Sequence, residues 1–280
     1  INNLFKEIPE TKIFISPGNH DPYIKNSYYY KFNWSENVKI FSSKIEKIEL
    51  EDADIYGFGF DDFYCKDFNI KELNIENKNK LNILIIHGTL NGGTIQEHEY
   101  NPISKNELEE KGFDYVALGH IHKLDYNTQE NQRIVYPGST VSLGFDELGE
   151  HGMIVGDIEK EKIKLDFIPL DEKEFKLEEM DVTEIISKEE LIEKINELNF
   201  NENELIEIIL IGKRNFEINT YELNKLIFNE KIIKIKNKTK INYNLEKIAN
   251  ENTLKGLFAK NIKNKLNDET LTEEEKEIVE

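Results

Sequence analysis

Cysteine occurs once in the 280 residues, at Cys65. A single thiol excludes an internal disulfide, so the fold must rest on its apolar core, and such a chain suits a reducing compartment such as the cytoplasm. Cys65 sits in an acidic, aromatic loop and reads as inert rather than nucleophilic. Long apolar runs are also missing. No stretch approaches the ~20 residues of a membrane span, and no signal peptide is visible. Positive charge is scarce: 36 Lys and Arg stand against 55 Asp and Glu, a formal net charge of −19. That balance argues against a broad basic face of the kind that neutralises nucleic-acid phosphates. The one locally basic segment, Lys231 to Lys240, alternates with apolar residues and reads as a half-exposed strand rather than a phosphate-tracking edge. Internal repeats and low-complexity tracts are absent, although Asn and Lys are abundant. What remains is ordinary for a globular chain, with 38% hydrophobic and 32% charged residues.

Against this background, three short histidine motifs stand directly behind apolar runs. They are Gly18-Asn19-His20-Asp21, His87-Gly88-Thr89 and Gly119-His120-Ile121-His122. The preceding runs, Lys12 to Ile15, Leu81 to Ile86 and Phe113 to Leu118, are rich in β-branched or aromatic residues and read as buried strands. In open α/β sheets, ligands collect beyond the carboxyl ends of strands, so the motifs converge on one rim. Imidazole and amide groups aimed at one crevice are what a transition-metal site needs. A lone histidine at a strand end is more often a hydrogen-bonded loop residue; His98 and His151, outside the motifs, are read that way. The set of three is the signal, and it marks a metal-dependent hydrolase.

Elsewhere, short strands alternate with loops and short helices from residue 11 to about 170. Ile55 to Phe60 and Arg133 to Tyr136 read as strands, and Met153 to Ile158 with Lys162 to Ile168 as a hairpin across Glu159 to Glu161. Tyr23 to Trp34 is aromatic, and packing in the core is the more frequent use of such a cluster, with the mouth of the site as the other. Pro169 and the charged stretch Asp171 to Glu179 mark a boundary. Beyond it, Ser187 to Leu198 has helical spacing with a Ser187/Glu190 capping box, Glu204 to Gly212 is a strand, Asn219 to Phe228 a helix and Ile232 to Ile235 a strand. The expected division is 1–170, 171–240 as a small α+β domain, and 241–280 as a helical tail.

The motifs, in this order, resemble the calcineurin-like metallophosphoesterase superfamily. Gly18-Asn19-His20-Asp21 belongs to the superfamily as a whole. Ser16 to Pro22, Gly119 to Lys123 and Tyr136-Pro137-Gly138-Ser139 resemble the SbcD-type DNA repair exonucleases, and Gly144 to Gly152 their YhaO-like branch. The resemblance is strong to about Asp157 and loose beyond it. It implies a four-layered α/β sandwich followed by a small α+β capping domain.

The resemblance also implies two divalent metal ions, manganese with zinc or iron as alternatives. Asn19, His87 and His120 would ligate one ion and His122 would contribute to the other. Two metals supply charge neutralisation and an activated water for in-line attack on a phosphodiester. His20 would act as general acid toward the leaving oxygen, oriented by Asp21, though Asp21 also suits a turn-stabilising role. The superfamily's Asp-x-His and Gly-Asp motifs do not occur ahead of Gly18, and Glu273 to Glu280 stops within a helical pattern. A piece of a longer protein, by itself inactive, is therefore expected. DNA is the implied substrate, an SbcC-like coiled-coil ATPase the implied partner, and a homodimer a further expectation. In the tail, Leu245, Ile248, Leu254, Leu257, Phe258, Ile262 and Leu266 fall near helical spacing, with Leu254, Leu257 and Phe258 as anchors for that ATPase unless the stripe docks on its own domain. Two other classes carry the same motifs: a phosphoesterase acting on a small nucleotide or phosphoprotein, and a non-catalytic scaffold for an ATPase.

Overall fold

The computed structural model describes residues 1–280 apart from 66–67, 92–99, 127–131, 244, 269, 273, 275 and 277–280. His98 and much of the segment from Glu273 therefore lie outside the described residues. The chain forms two compact units, Ile1–Glu174 and Phe175–Glu280, and both are mixed α/β. Among the described residues no helix is long and apolar enough to cross a membrane.

The first unit opens with α1 (Asn2–Glu7), β1 (Ile13–Ile15), the single turn α2 (Tyr28–Lys31) and β2 (Val38–Ile40), which pairs in parallel with β1. A five-stranded sheet follows in spatial order β3 (Glu46–Glu49), β4 (Ala53–Phe58), β5 (Leu81–His87), β8 (Tyr115–Gly119) and β9 (Ile134–Val135). Between its strands lie β6 (Thr89–Asn91), β7 (Pro102–Ser104) and α3 (Lys105–Lys111). Strands β4, β5, β8 and β9 run parallel, with only β3 antiparallel. Their carboxyl ends therefore share one edge, as the apolar runs require. Alternate residues of β5 are buried, with Leu84 and Ile86 each 1% exposed, and they join Phe58, Val116 and Leu118 in one core. The loop after β1 is fastened to the same edge: Ser16 Oγ donates to Phe58 O at 2.6 Å and Phe60 N–H to Pro17 O at 2.9 Å. The unit closes with the hairpin of β10 (Gly152–Ile158) and β11 (Ile163–Pro169), in register Ile158 to Ile163.

In the second unit, β12 (Glu174–Asp181) occupies the charged stretch expected to be a boundary. It lies at the edge of a three-stranded sheet with β13 (Glu204–Ile211) and β15 (Ile232–Asn237). The charge there decorates a sheet edge, where Lys176 pairs with Glu204 at 2.5 Å. Helices α4 (Lys188–Asn196) and α5 (Thr220–Leu226) flank the order. Ser187 accepts from Glu190 N–H at 3.2 Å, and the Glu190 carboxylate takes the Ile186 N–H at 2.9 Å, so the capping box closes one residue earlier than its usual form. A short ladder of β14 (Lys213–Arg214) with β16 (Lys240–Ile241) leads to α6 (Leu245–Ala249) and α7 (Leu254–Leu266), which pack together through Gly256 and Ala259. Leu254, Leu257 and Phe258 remain 84%, 58% and 66% exposed.

Candidate active site

The loops after β1, β5 and β8 bring the predicted side chains to one rim. Asn19 is buried, and its Oδ1 lies 2.8 Å from Nε2 of His87. His120 stands beside them, its ring centroid 5.2 Å from that of His87. The close approach needs glycine: a Cβ on Gly18 would meet the His87 ring at 2.5 Å, and one on Gly119 would meet its Nδ1 at 3.0 Å. Phe60 closes a third side, edge-on to His87 at 5.2 Å. His120 sits at φ 114°, a backbone state that a side chain with a Cβ rarely adopts and that clusters at functional sites.

A brace behind the histidines explains the Tyr136-Pro137-Gly138-Ser139 segment. The Tyr136 hydroxyl donates to Gly88 O at 2.7 Å and accepts from Leu90 N–H at 2.9 Å, pinning the turn after His87. Burial pushes its pKa up to about 12, which keeps the phenol a donor. Two residues on, Gly138 at φ +79° allows the chain to pass against His122, where a Cβ would lie 2.7 Å from His122 O. Ser139 N–H then donates to that carbonyl at 2.9 Å. Ser139 Oγ lies 2.7 Å from Nδ1 of His151, whose Nε2 is 3.0 Å from Glu147 O. Because a carbonyl can only accept, Nε2 carries a proton and donates it to Glu147 O. His151 is thus a buried structural histidine.

Three further residues support the predicted set and were not singled out from the sequence. Glu147 Oε1 bonds Nδ1 of His122 while its Oε2 accepts from Leu143 N–H at 3.1 Å. This carboxylate holds the ring by Nδ1 and leaves Nε2 without a hydrogen bond among the described residues, the arrangement that orients metal-binding histidines. The bond from His122 is also the main cause that keeps the Glu147 carboxyl below its ordinary range. Asn101, fully buried, donates from Nδ2 to His87 O at 2.8 Å. Tyr29 donates to Asp21 Oδ2 at 2.6 Å, and burial raises its pKa so that it remains a donor. Glu147 lies in a segment notable only for lineage, 25 residues from His122, a separation that no local spacing rule connects.

His20 is exposed and makes no side-chain hydrogen bond among the described residues. Asp21 serves the loop itself, its Oδ1 accepting Gly18 N–H at 3.0 Å, which is the turn-stabilising role the sequence allowed. Its carboxylate is turned to Gly18 and Tyr29 rather than to His20. The aromatic stretch divides: Tyr29 and Trp34 are partly buried and stack with centroids 6.0 Å apart, whereas Tyr28 and Phe32 are 76% and 53% exposed and lie edge-to-face with centroids 5.6 Å apart. The turn of α2 puts these i, i+4 residues on one side, facing out.

The electrostatics suit a cation ligand. Burial, then repulsion from His120, lowers the pKa of His87 to about 4, with Asp21 opposing and His20 and His122 adding to the repulsion. His120 is lowered by burial and by His122 and His20. Both rings are therefore neutral at pH 7, the form that binds metal. Among the described residues no three His, Cys, Asp or Glu side chains form a group able to hold a metal ion, so the amide of Asn19 is needed to complete a set of three. Asn19 Oδ1 and His87 Nε2, 2.8 Å apart, lie near enough for both to reach one ion through bonds of ~2.1 Å. In donor chemistry these residues fit a divalent transition metal.

Comparison with known proteins agrees with this geometry. Residues 11–161 match the calcineurin-like phosphoesterase superfamily domain. The metallophosphoesterase YhaO of Bacillus subtilis (strain 168) is 30% identical over 179 residues, covering 61% of this chain and 43% of that protein. The SbcD component of the nuclease SbcCD from Staphylococcus epidermidis is 34% identical over 122 residues, covering 40% of this chain and 32% of that protein. The chain thus spans less than half the length of either relative.

Proposed function

Because the chain belongs to the calcineurin-like phosphoesterase superfamily, we propose that it hydrolyses phosphodiester bonds of DNA in repair, with divalent cations of the manganese type. The observation that carries this reading is the 2.8 Å pairing of Asn19 Oδ1 with His87 Nε2 at the edge where His120 also lies. Asn19, His87 and His120 would hold one ion, and His122, oriented by Glu147, would contribute to a second. Such ions neutralise the non-bridging phosphate oxygens and activate water.

The chain's own residues supply the rest. His20, exposed at the rim, would pass a proton to the leaving oxygen. Asp21 shapes the turn that presents it, with its carboxylate fixed by Tyr29 and Gly18 N–H. Tyr136 and Asn101 fix the turn that carries His87. A net charge of −19 suits a nuclease whose grip on DNA comes largely from a partner. The SbcCD name of one relative supports an SbcC-like ATPase, for which the exposed Leu254, Leu257 and Phe258 of α7 offer an apolar face. The lone, buried Cys65 fits a cytoplasmic setting.

The test is hydrolysis by the purified protein, in a form that includes any residues flanking 1–280, with added manganese. Linear DNA is set against a chromogenic phosphodiester and a phosphoprotein. Cleavage of DNA that is abolished by chelation is expected. Turnover of only the small ester or the phosphoprotein refutes the nuclease reading, and no turnover with any substrate leaves a scaffold.

A further inference from the structure

Beside His20 and Asp21 lies a groove of roughly 610 Å³ whose other walls include Tyr28, Phe32, Trp34 and Phe63. Its size falls within the ~300–1,000 Å³ of small-molecule sites. Three features set its chemistry. The walls are aromatic, and rings that would normally be buried are turned outward, Tyr28, Phe32 and Phe63 being 76%, 53% and 52% exposed. Among the described residues the lining includes no Lys or Arg, so it does not suit a second phosphate. It is continuous with His20, the residue placed at the leaving oxygen.

From these features we infer that the groove binds the nucleobase of the leaving nucleoside, and that the base must be unpaired to enter. Aromatic side chains stack on bases of any identity, because every base has a π-face. A base held within a duplex cannot present that face to a side wall of the site. The site therefore favours single-stranded or frayed ends, with little base preference. Tyr28 and Phe32, already edge-to-face, form the platform, and Trp34, 6.5 Å from Phe32, lines the floor. This inference rests on the phosphodiesterase reading given above.

Trp34 is the only tryptophan of the chain, so its emission reports on the groove directly. Residues 1–280 are titrated, without metal, with a short single-stranded deoxyoligonucleotide and with an abasic chain of equal length. A saturable change with the base-bearing strand is expected, with the abasic chain at least about tenfold weaker. Tyr28→Ala with Phe32→Ala should weaken binding about tenfold or more, and Phe32→Tyr should retain it. Both side chains are exposed, so unchanged melting of the double variant will show that it folds. Equal binding of the abasic chain, or an unaltered double variant, overturns the inference. So does a longer form of the protein whose Trp34 no longer responds because its own chain fills the groove. Base binding by a form that includes any flanking residues, without hydrolysis of DNA, would instead refute the nuclease reading alone, whereas DNA hydrolysis by that form indifferent to both substitutions would refute the subsite alone.

Discussion

Replacing Gly18 by alanine adds one methyl group at the point where two histidine loops meet. The new Cβ would lie 2.5 Å from Cε1 and Nδ1 of His87 and 2.9 Å from Nε2. Carbon contacts are comfortable only at ~3.5–4.0 Å, so the ring must retreat by about 1 Å. It has nowhere easy to go. The rings of Phe60 and His120 flank it with centroids 5.2 Å away, and its Nε2 is held 2.8 Å from Asn19 Oδ1. Overpacking of this kind costs ~1–3 kcal/mol of stability. The 2.8 Å contact between Asn19 and His87 would open, and a misplacement of about 1 Å at a reacting centre costs ~10²-fold in rate. Gly112→Ala is the control. Gly112 has φ +75° with nothing within 4 Å of its Cβ, so alanine there should cost about 1 kcal/mol through backbone strain alone. Thermal melting, manganese titration and turnover of a cleaving form are measured on both variants. Gly18→Ala should lose metal affinity and turnover, and Gly112→Ala should lose neither. A Gly18→Ala protein with ordinary manganese affinity and rate would show that the ring has room, and the geometry of the site would have to be redrawn.

Three other outcomes follow from the same site. His20→Asn should leave manganese binding nearly intact and lower DNA turnover by ~10²–10⁴-fold, and loss of metal together with activity would make His20 a ligand. Glu147→Gln keeps an acceptor but removes the charge facing His122; turnover should fall ~10–100-fold with little change in melting, since the bond from His151 goes to the backbone of Glu147. An unchanged rate would leave Glu147 with no part in positioning His122. The third outcome concerns acid stability without metal. His87 has a folded pKa depressed from 6.5 to about 4, so it is neutral when folded and takes up a proton on unfolding below pH 6.5. Its contribution is full above pH 6.5 and is lost as pH falls toward 4, by about 3 kcal/mol at most. Melting temperatures of the wild type should drop across that window more steeply than those of His87→Gln, and parallel curves would contradict the burial assigned to this ring.

The strands that carry the site were legible because their burial follows the sequence pattern. The apolar runs before Gly18, His87 and Gly119 announce both the strand and the rim where it ends. The hairpin of β10 with β11 was equally plain from its two apolar runs and short turn. Less legible was β12: the charged stretch marks a boundary, and the two units divide within it at Glu174 and Phe175, but nothing in it announces the strand that Lys176 and Glu204 tie to the sheet. Side-chain partners set by tertiary folding left no local mark. Glu147 reaches His122, and Asn101 reaches His87, only after loops distant in sequence have come together. The aromatic cluster misled for another reason. Composition favours burial, but a one-turn helix beside the rim leaves Tyr28 and Phe32 facing outward.

The backbone of His120, at φ 114°, bears on how far this protein can be stabilised. Holding a residue with a Cβ in that region costs ~1–3 kcal/mol, so glycine would relieve the strain and raise the melting temperature. Any search guided by thermal tolerance would therefore favour replacing the very imidazole that stands beside His87. Selection for durability and selection for chemistry pull in opposite directions at this one position, and the histidine persists only where the second prevails.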